Sequence, residues 1–173
     1  MNAAPRRQSS WLSIVILTVP ILLGACKTTE KVKSDGRDAR QIYDMQADGE
    51  RLLASALRQA QKEEKHVLLS LGANWCSDSQ NTYDALHRQA DLQELLQDRF
   101  VLAMVDANNR VGFQRNQMII NRYQVDLKRG IPVLLVLNAE GELLSDDPSQ
   151  IPLDSDHEAP EKIVRYLNTW VQP

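Results

Sequence analysis

Three short apolar runs constrain the fold of this chain more than any other feature of its sequence. They span residues 66–72, 100–105 and 132–137, and each is too short to be a buried helix. Apolar runs of this length are typical of strands that are covered on both faces. Helical segments separate the runs, and strands joined by such crossovers pair in parallel. The pattern therefore predicts an α/β domain in which helices cover both faces of a central sheet.

The segments around these runs show helical periodicity and one hairpin signal. Apolar side chains recur every three or four residues in the first and last helical segments, which makes both amphipathic. Gly141 marks a tight hairpin after the third run, so we expect a fourth strand over 142–145 at an antiparallel edge. The acidic, proline-containing stretch 146–158 predicts a loop. The predicted helices span about residues 47–64, 80–89, 91–98, 112–123 and 160–171.

The beginning of the chain has the pattern of a targeting signal. Arg6 and Arg7 precede an apolar core at 11–23, and no acidic residue occurs before Glu30. A short positive region followed by an apolar core predicts a secretory signal peptide over residues 1–25. The alternative is a permanent transmembrane helix, but the run is shorter than the about 20 apolar residues that span a bilayer.

The tetrapeptide Leu23-Gly24-Ala25-Cys26 resembles the bacterial lipobox. The resemblance implies that Cys26 becomes the first residue of the mature protein and carries a lipid that anchors it to a membrane. It also implies a bacterial envelope protein that faces the periplasm. Lys27 in place of an aspartate slightly favours the outer membrane over the inner one. A secretory signal with an incidental cysteine is the alternative.

The residues after the lipobox divide into a tether and a folded domain. Residues 26–46 are mainly polar and predict a lipidated N-terminus followed by a flexible tether. The folded domain is then expected to span residues 47–173. No internal repeat or low-complexity tract interrupts it.

Charge and cysteine content exclude several classes of protein. The net charge is −3 and no long run of Lys or Arg occurs, which argues against nucleic-acid binding. The two cysteines, Cys26 and Cys76, are too few for a disulfide-stapled mini-fold or a four-cysteine zinc site. The stretch 154–158 imitates the start of a calcium loop without its glycine, and no glycine-rich phosphate loop occurs. We therefore predict neither a metal site nor a cofactor.

Two motifs at the ends of the apolar runs carry a family resemblance. Gly72-Ala73-Asn74-Trp75-Cys76-Ser77-Asp78-Ser79, between a strand and a helix, resembles the Trp-Cys-x-x-Cys turn of thioredoxins. Gly130-Ile131-Pro132, directly before the third run, resembles the thioredoxin segment that carries a cis-proline. The resemblance covers about residues 48–171. It implies a thioredoxin-like three-layer α/β/α sandwich with a mixed sheet of about four strands, a C-terminal hairpin and a final helix.

Two departures from the family pattern change the chemistry that the resemblance implies. Ser79 stands where the second cysteine belongs, and Ser70 stands where the family has a buried carboxylate. With Cys26 lipidated, Cys76 is the only free thiol, so an intramolecular disulfide cannot form. Single-thiol exchange remains: the Cys76 thiolate attacks a partner, forms a mixed disulfide and is released by an external thiol.

The resemblance also defines the expected site. A helix that begins at Cys76 favours its thiolate through backbone N–H groups and the helix dipole, and Ser79 is expected to donate a hydrogen bond in the same sense. Trp75, Ile131 and Pro132 are expected to hold an extended peptide of the partner, with Ile131 offering strand-like backbone hydrogen bonds.

Two functions remain open at this point. One is single-cysteine thiol–disulfide exchange, with oxidoreductase or isomerase-like activity on envelope proteins that bear cysteines. The other is a non-catalytic thioredoxin-fold module that holds extended peptides of envelope proteins. The missing carboxylate at Ser70 favours binding, whereas Trp75-Cys76 beside Pro132 favours chemistry. A peroxide-reactive thiol is a third option, but no added acid or base near Cys76 in the sequence supports it.

Overall fold

A computed structural model describes residues 40–145 and 159–170 of the chain. The predicted signal peptide, Cys26, most of the expected tether and the predicted loop at 146–158 lie outside the described residues. Within the two described ranges, no helix has both the length and the apolar character needed to cross a membrane. The elements are α1 (Gly49–Glu63), β1 (His66–Gly72), α2 (Ser77–Arg88), α3 (Ala90–Arg99), β2 (Phe100–Asp106), α4 (Gln117–Arg122), a 3-10 turn (Leu127–Arg129), β3 (Val133–Leu137) and α5 (Ala159–Thr169).

The three strands form one mixed sheet in the order β2-β1-β3. β1 pairs in parallel with β2, and its last residue, Gly72, lies opposite Asp106. β3 pairs with β1 in antiparallel register, with Val133 opposite Leu71. The expectation of parallel pairing is therefore correct for β2 and wrong for β3. The segment between β2 and β3 starts and ends at the same edge of the sheet. Its one α-helix, α4, is about 9 Å long and is too short to return the chain along β1.

The sheet separates two apolar cores, which confirms the three-layer sandwich. The odd-numbered residues of β1, such as Leu69, pack against α1 and α4. Leu68 on the other face packs with α2, α3 and α5. Both faces of β1 are buried, because side chains alternate along a strand and helices cover both sides.

The structure shortens two elements that the sequence predicts. α4 begins at Gln117 rather than near residue 112, because Gly112 and Asn116 have positive φ angles of 82° and 52° that break the helix. The hairpin at Gly141 forms, but the fourth strand is reduced to an isolated bridge between Leu137 and Leu143. The Val136 N–H there bonds to the side chain of Ser145, at 3.4 Å, rather than to a backbone carbonyl.

Residues 40–46 belong to the folded domain and not to the tether. Tyr43 is 1% exposed, and the Asn74 side chain accepts hydrogen bonds from the backbone N–H groups of Ile42 and Tyr43 at 2.9 and 2.8 Å. Arg40 donates two hydrogen bonds of 2.8 Å to the carboxylate of Asp84 on α2. The expected boundary at residue 47 is therefore too late by at least seven residues.

Candidate active site

Cys76 lies where the sequence places it, at the start of α2. It is the N-cap residue, with extended backbone angles of −88° and 121°. Its N–H donates to the carbonyl of Ala73 at 3.1 Å, and its carbonyl accepts from Gln80 N at 3.1 Å. The tight turn after β1 therefore places Cys76 at the N-terminus of α2, where unsatisfied helix N–H groups favour negative charge.

The Cys76 thiol faces the loop that precedes β3. Its Sγ donates a hydrogen bond to the carbonyl of Ile131 at 3.2 Å, and Cys76 is 8% exposed. The peptide bond between Ile131 and Pro132 is cis. Cys76, Ile131 and Ala73 form a small apolar cluster flanked by the partly buried Trp75. Residues 55 positions apart in the chain thus meet at the thiol.

Trp75 is held by the loop that follows β2. Its indole N–H donates to Asn108 Oδ1 at 3.3 Å, and the Arg110 guanidinium lies 4.1 Å from the centre of the ring. This contact is a cation–π interaction. Trp75 remains partly exposed, so one part of the ring is fixed and another faces solvent beside the thiol.

Behind the thiol lies a group of buried hydroxyls that we call the hydroxyl cluster: Tyr43, Ser70 and Ser79. The Tyr43 hydroxyl and Ser70 Oγ are 2.9 Å apart. Ser79 is fully buried, and its Oγ accepts from Ala73 N at 3.3 Å. Burial raises the pKa of Tyr43 to about 12, against the hydrogen bonds with Ser70 and Ser79 that lower it.

The hydroxyl cluster changes the role expected for Ser79. No hydrogen bond joins Ser79 to Cys76 among the described residues; Ser79 Oγ accepts from the Ala73 N–H of the turn instead. Gly72 makes room for this arrangement. A Cβ atom on Gly72 would stand 2.3 Å from the Tyr43 hydroxyl oxygen and 2.7 Å from Ser79 Oγ.

Asp106, the last residue of β2, is a buried acid that pairs with Gly72 in the sheet. It is 2% exposed, and neither carboxyl oxygen accepts a hydrogen bond from the described residues. Arg115 Nε forms an ion pair with Oδ2 at 3.2 Å. Burial raises the pKa of Asp106, and the charge of Arg115 opposes that shift only in part.

Tyr43 and Asp106 are the site residues that the sequence interpretation missed. Tyr43 had one local signal, since Ile42 and Tyr43 form an apolar pair within a polar stretch. Asp106 directly follows the second apolar run, and no motif around it indicates a site. Across residues 40–145 and 159–170, no three His, Cys, Asp or Glu side chains are grouped as metal ligands would be.

The comparisons with known proteins agree with this architecture. The sequence model of the thioredoxin-like family matches residues 48–139, and the chain belongs to that family. No curated protein sequence matches the chain. The structure is similar to a disulphide isomerase from Xylella fastidiosa Temecula1, with 24% identity and a TM-score of 0.67, over 77% of this chain and 98% of that one.

Two further solved structures are more distant. One is an oxidoreductase named DsbH, at 24% identity and a TM-score of 0.43, over 53% of this chain and 66% of that one. The other is the C-terminal domain of Neisseria meningitidis DsbD in its oxidised form. It has 21% identity and a TM-score of 0.41, over 57% of this chain and 83% of that one.

Proposed function

We propose that this chain is a membrane-anchored, thioredoxin-like envelope protein that exchanges disulfides with partner proteins through Cys76 alone. The observation that carries the proposal is the position of the thiol. It stands at the start of α2, 3.2 Å from the Ile131 carbonyl and beside the cis bond to Pro132. A helix start stabilises the thiolate, which is the nucleophile in disulfide exchange.

The exchange has two steps. The Cys76 thiolate attacks one sulfur of a partner disulfide, the S–S bond breaks, and the second partner sulfur leaves as a thiolate that takes a proton from solvent. An external thiolate then attacks the mixed disulfide at the partner sulfur, and Cys76 leaves as a thiolate. When Cys76 loses its proton, the Ile131 carbonyl loses the thiol as a donor and becomes able to accept from the backbone of an extended partner peptide.

The absence of a second thiol at Ser79 makes the mixed disulfide long-lived. Wild-type protein incubated with envelope proteins and quenched with acid should show adducts on non-reducing gels. These adducts should collapse with dithiothreitol and be absent from Cys76→Ala. Ser79→Cys restores a thiol at the family spacing, so it should shorten adduct lifetime and confer disulfide reductase activity.

Thr82→Cys is the matched control for the added thiol. Thr82 is also buried on α2, but it lies about 9 Å along the helix from Cys76, beyond disulfide reach. It should leave adduct lifetime unchanged. Absence of adducts from the wild type, together with full partner binding by Cys76→Ala, would contradict exchange.

Membrane anchoring is proposed from the lipobox at Cys26. A labelled fatty acid supplied to growing cells should mark the wild type and Cys76→Ser but not Cys26→Ser. Equal labelling of Cys26→Ser would contradict the anchor without bearing on the chemistry of Cys76.

A peptide-binding module without chemistry is the second candidate. The observation that favours it is the burial of Cys76, which is 8% exposed and has its thiol hydrogen engaged by the Ile131 carbonyl. Under this alternative, Cys76→Ala retains partner binding and the envelope phenotype, and adducts do not form. The same gel and binding measurements therefore decide between the two functions.

A further inference from the structure

We propose that the segment between β2 and α4 is a membrane-contact surface that lays the Cys76 end of the domain on a bilayer containing anionic lipids. We call residues 108–118, which include the first turn of α4, the basic loop. The inference rests on the anchoring part of the proposed function and adds an orientation to it.

Apolar side chains of the basic loop project into solvent. Val111 is 90% exposed, Phe113 65% and Met118 66%. A Cβ atom on Gly112, between the first two of them, would meet no atom within 4 Å. The tip of the loop therefore protrudes from the domain and leaves most of its apolar surface in water.

The charge of this part of the chain is opposite in sign to that of the whole. Residues 107–125 contain three arginines and no acidic residue, although the chain has a net charge of −3. Two of the arginines, Arg115 and Arg122, form ion pairs with acids on other elements. Arg110 forms no ion pair with the described residues, and its guanidinium lies against the Trp75 ring. A cation beside exposed apolar side chains matches the headgroups and acyl chains of anionic lipids.

The shape of the basic loop favours a bilayer over a bound peptide. An extended peptide binds along a strand edge or in a groove, and a protruding tip offers neither. A bilayer accepts protruding apolar side chains at its interface while the arginines beside them remain among the headgroups. Lipid therefore fits both the shape and the charge of this surface.

The described chain begins beside the basic loop. The Arg115 guanidinium donates to the carbonyl of Met45, and Asn116 Oδ1 accepts from Gly49 N at 3.1 Å. Residues 27–39 can extend over at most about 50 Å. A lipid on Cys26 would thus hold the domain within that distance of the bilayer, through a segment that reaches the domain next to this loop.

The basic loop is also joined to the surroundings of the thiol. Asn108 accepts from the Trp75 indole N–H, and Asn109 Nδ2 donates at 3.2 Å to the carbonyl of Leu127, in the segment that leads to Ile131. Contact of this loop with a bilayer would therefore hold Cys76 at the membrane surface. The partners favoured by this orientation are proteins whose cysteines lie close to the membrane.

The test measures how close the loop comes to lipid in the full-length, lipidated protein reconstituted into vesicles. Gln114→Cys in a Cys76→Ala background places a reactive thiol beside Phe113 for labelling with a fluorophore. Lipids that carry a nitroxide on the acyl chain should quench the label about twofold in vesicles of phosphatidylethanolamine and phosphatidylglycerol, and less in phosphatidylcholine vesicles. Adding Val111→Ser and Phe113→Ser should abolish the quenching, and the fold should tolerate both changes because the two side chains are exposed.

Glu140→Cys is the matched control. Glu140 is exposed in the hairpin turn after β3, at the end of the sheet opposite to the basic loop, so its label should stay unquenched in both kinds of vesicle. Flotation of the same samples measures anchoring by itself.

Protein that floats with vesicles while the label at 114 is unquenched, or is quenched no more than the label at 140, would overturn the membrane contact and leave the anchor intact. A label at 114 that stays unquenched but becomes shielded when envelope proteins are added would assign the loop to a protein partner and likewise overturn it. Protein that floats with neither vesicle would overturn the anchor together with this orientation. Because Cys76 is absent from the labelled protein, a failure of disulfide exchange would leave the result unchanged.

Discussion

The two sides of Cys76 differ in how far their side chains are buried. Behind the thiol, Tyr43, Ser70, Ser79 and Asp106 are buried and lie on elements of the sandwich or against it. In front, the loop after β2 supports Trp75 and carries side chains that face solvent, with Phe113 65% exposed. Tight packing behind the thiol fixes the turn, whereas the loop in front leaves its side chains open to solvent.

The largest effect is expected from Tyr43→Ala. Removing a fully buried aromatic ring should lower the free energy of unfolding by about 3–5 kcal/mol. Tyr43→Phe keeps the ring and removes only the hydroxyl that is hydrogen-bonded to Ser70, so the loss should be about 1–2 kcal/mol. Urea unfolding measures both. Equal losses in the two variants would show that the hydroxyl, rather than the ring, holds residues 40–46 in place.

Gly72→Ala should have the next largest effect. Its Cβ atom would meet the Tyr43 hydroxyl oxygen at 2.3 Å and Ser79 Oγ at 2.7 Å. Overpacking of this kind costs about 1–3 kcal/mol. Adding Tyr43→Phe removes the nearest atom, so the double variant should be more stable than the sum of the single losses predicts. Strict additivity in urea unfolding would argue that the clash is relieved by another movement.

Asp106→Asn should raise the free energy of unfolding at neutral pH and leave it unchanged at acidic pH. The folded state raises the pKa of this carboxyl through burial, so the folded protein binds its proton more tightly than the unfolded chain. Stability is therefore lost as pH rises through the folded-state titration of Asp106. At pH 7 the amide should be more stable than wild type by about 1 kcal/mol, and near pH 3 the difference should vanish. Thermal unfolding across pH gives the profile, and a gain that persists at pH 3 would assign it to packing.

The smallest effect is expected on the exposed side. Phe113→Ser should change the free energy of unfolding by less than about 0.5 kcal/mol, because the ring is 65% exposed. Arg110→Ala removes the cation–π contact with Trp75 and should cost about 0.5–1 kcal/mol. A loss above 2 kcal/mol in either variant would mean that the loop after β2 is part of the core.

One part of the site has local sequence motifs that predict it, and the other part has none. Trp75 and Cys76 are adjacent in one turn, and Ile131 and Pro132 are adjacent in another, so each pair has a motif that is visible in a few residues. The structure brings the two motifs together, with the Cys76 thiol bonded to Ile131. Tyr43 reaches the same site through a contact with Ser70 across 27 positions, and no local pattern specifies such a contact.

The orientation of β3 is a feature of the fold that local sequence patterns also did not specify. All five of its residues are apolar, and the structure buries all five. Such a run predicts a buried strand but not whether that strand is parallel or antiparallel to β1. Direction depends on where the preceding segment ends, and that depends on Gly112 and Asn116 breaking α4. Helical periodicity over 112–123 was too weak to reveal that break.

The sequence by itself determined the three buried strands, the first and last amphipathic helices and the placement of one cysteine at the start of a helix. Apolar periodicity and turn chemistry act over a few residues, so they can be interpreted along the chain. Only the tertiary structure decided which buried polar groups surround that cysteine. Tyr43 and Asp106 come to lie beside Gly72, at the end of the strand that leads to the Cys76 turn, because the sheet register and the docking of residues 40–46 bring distant backbone segments together. A hydroxyl or a carboxyl changes its chemistry when burial and neighbouring charges replace water, and those conditions exist only in the folded chain.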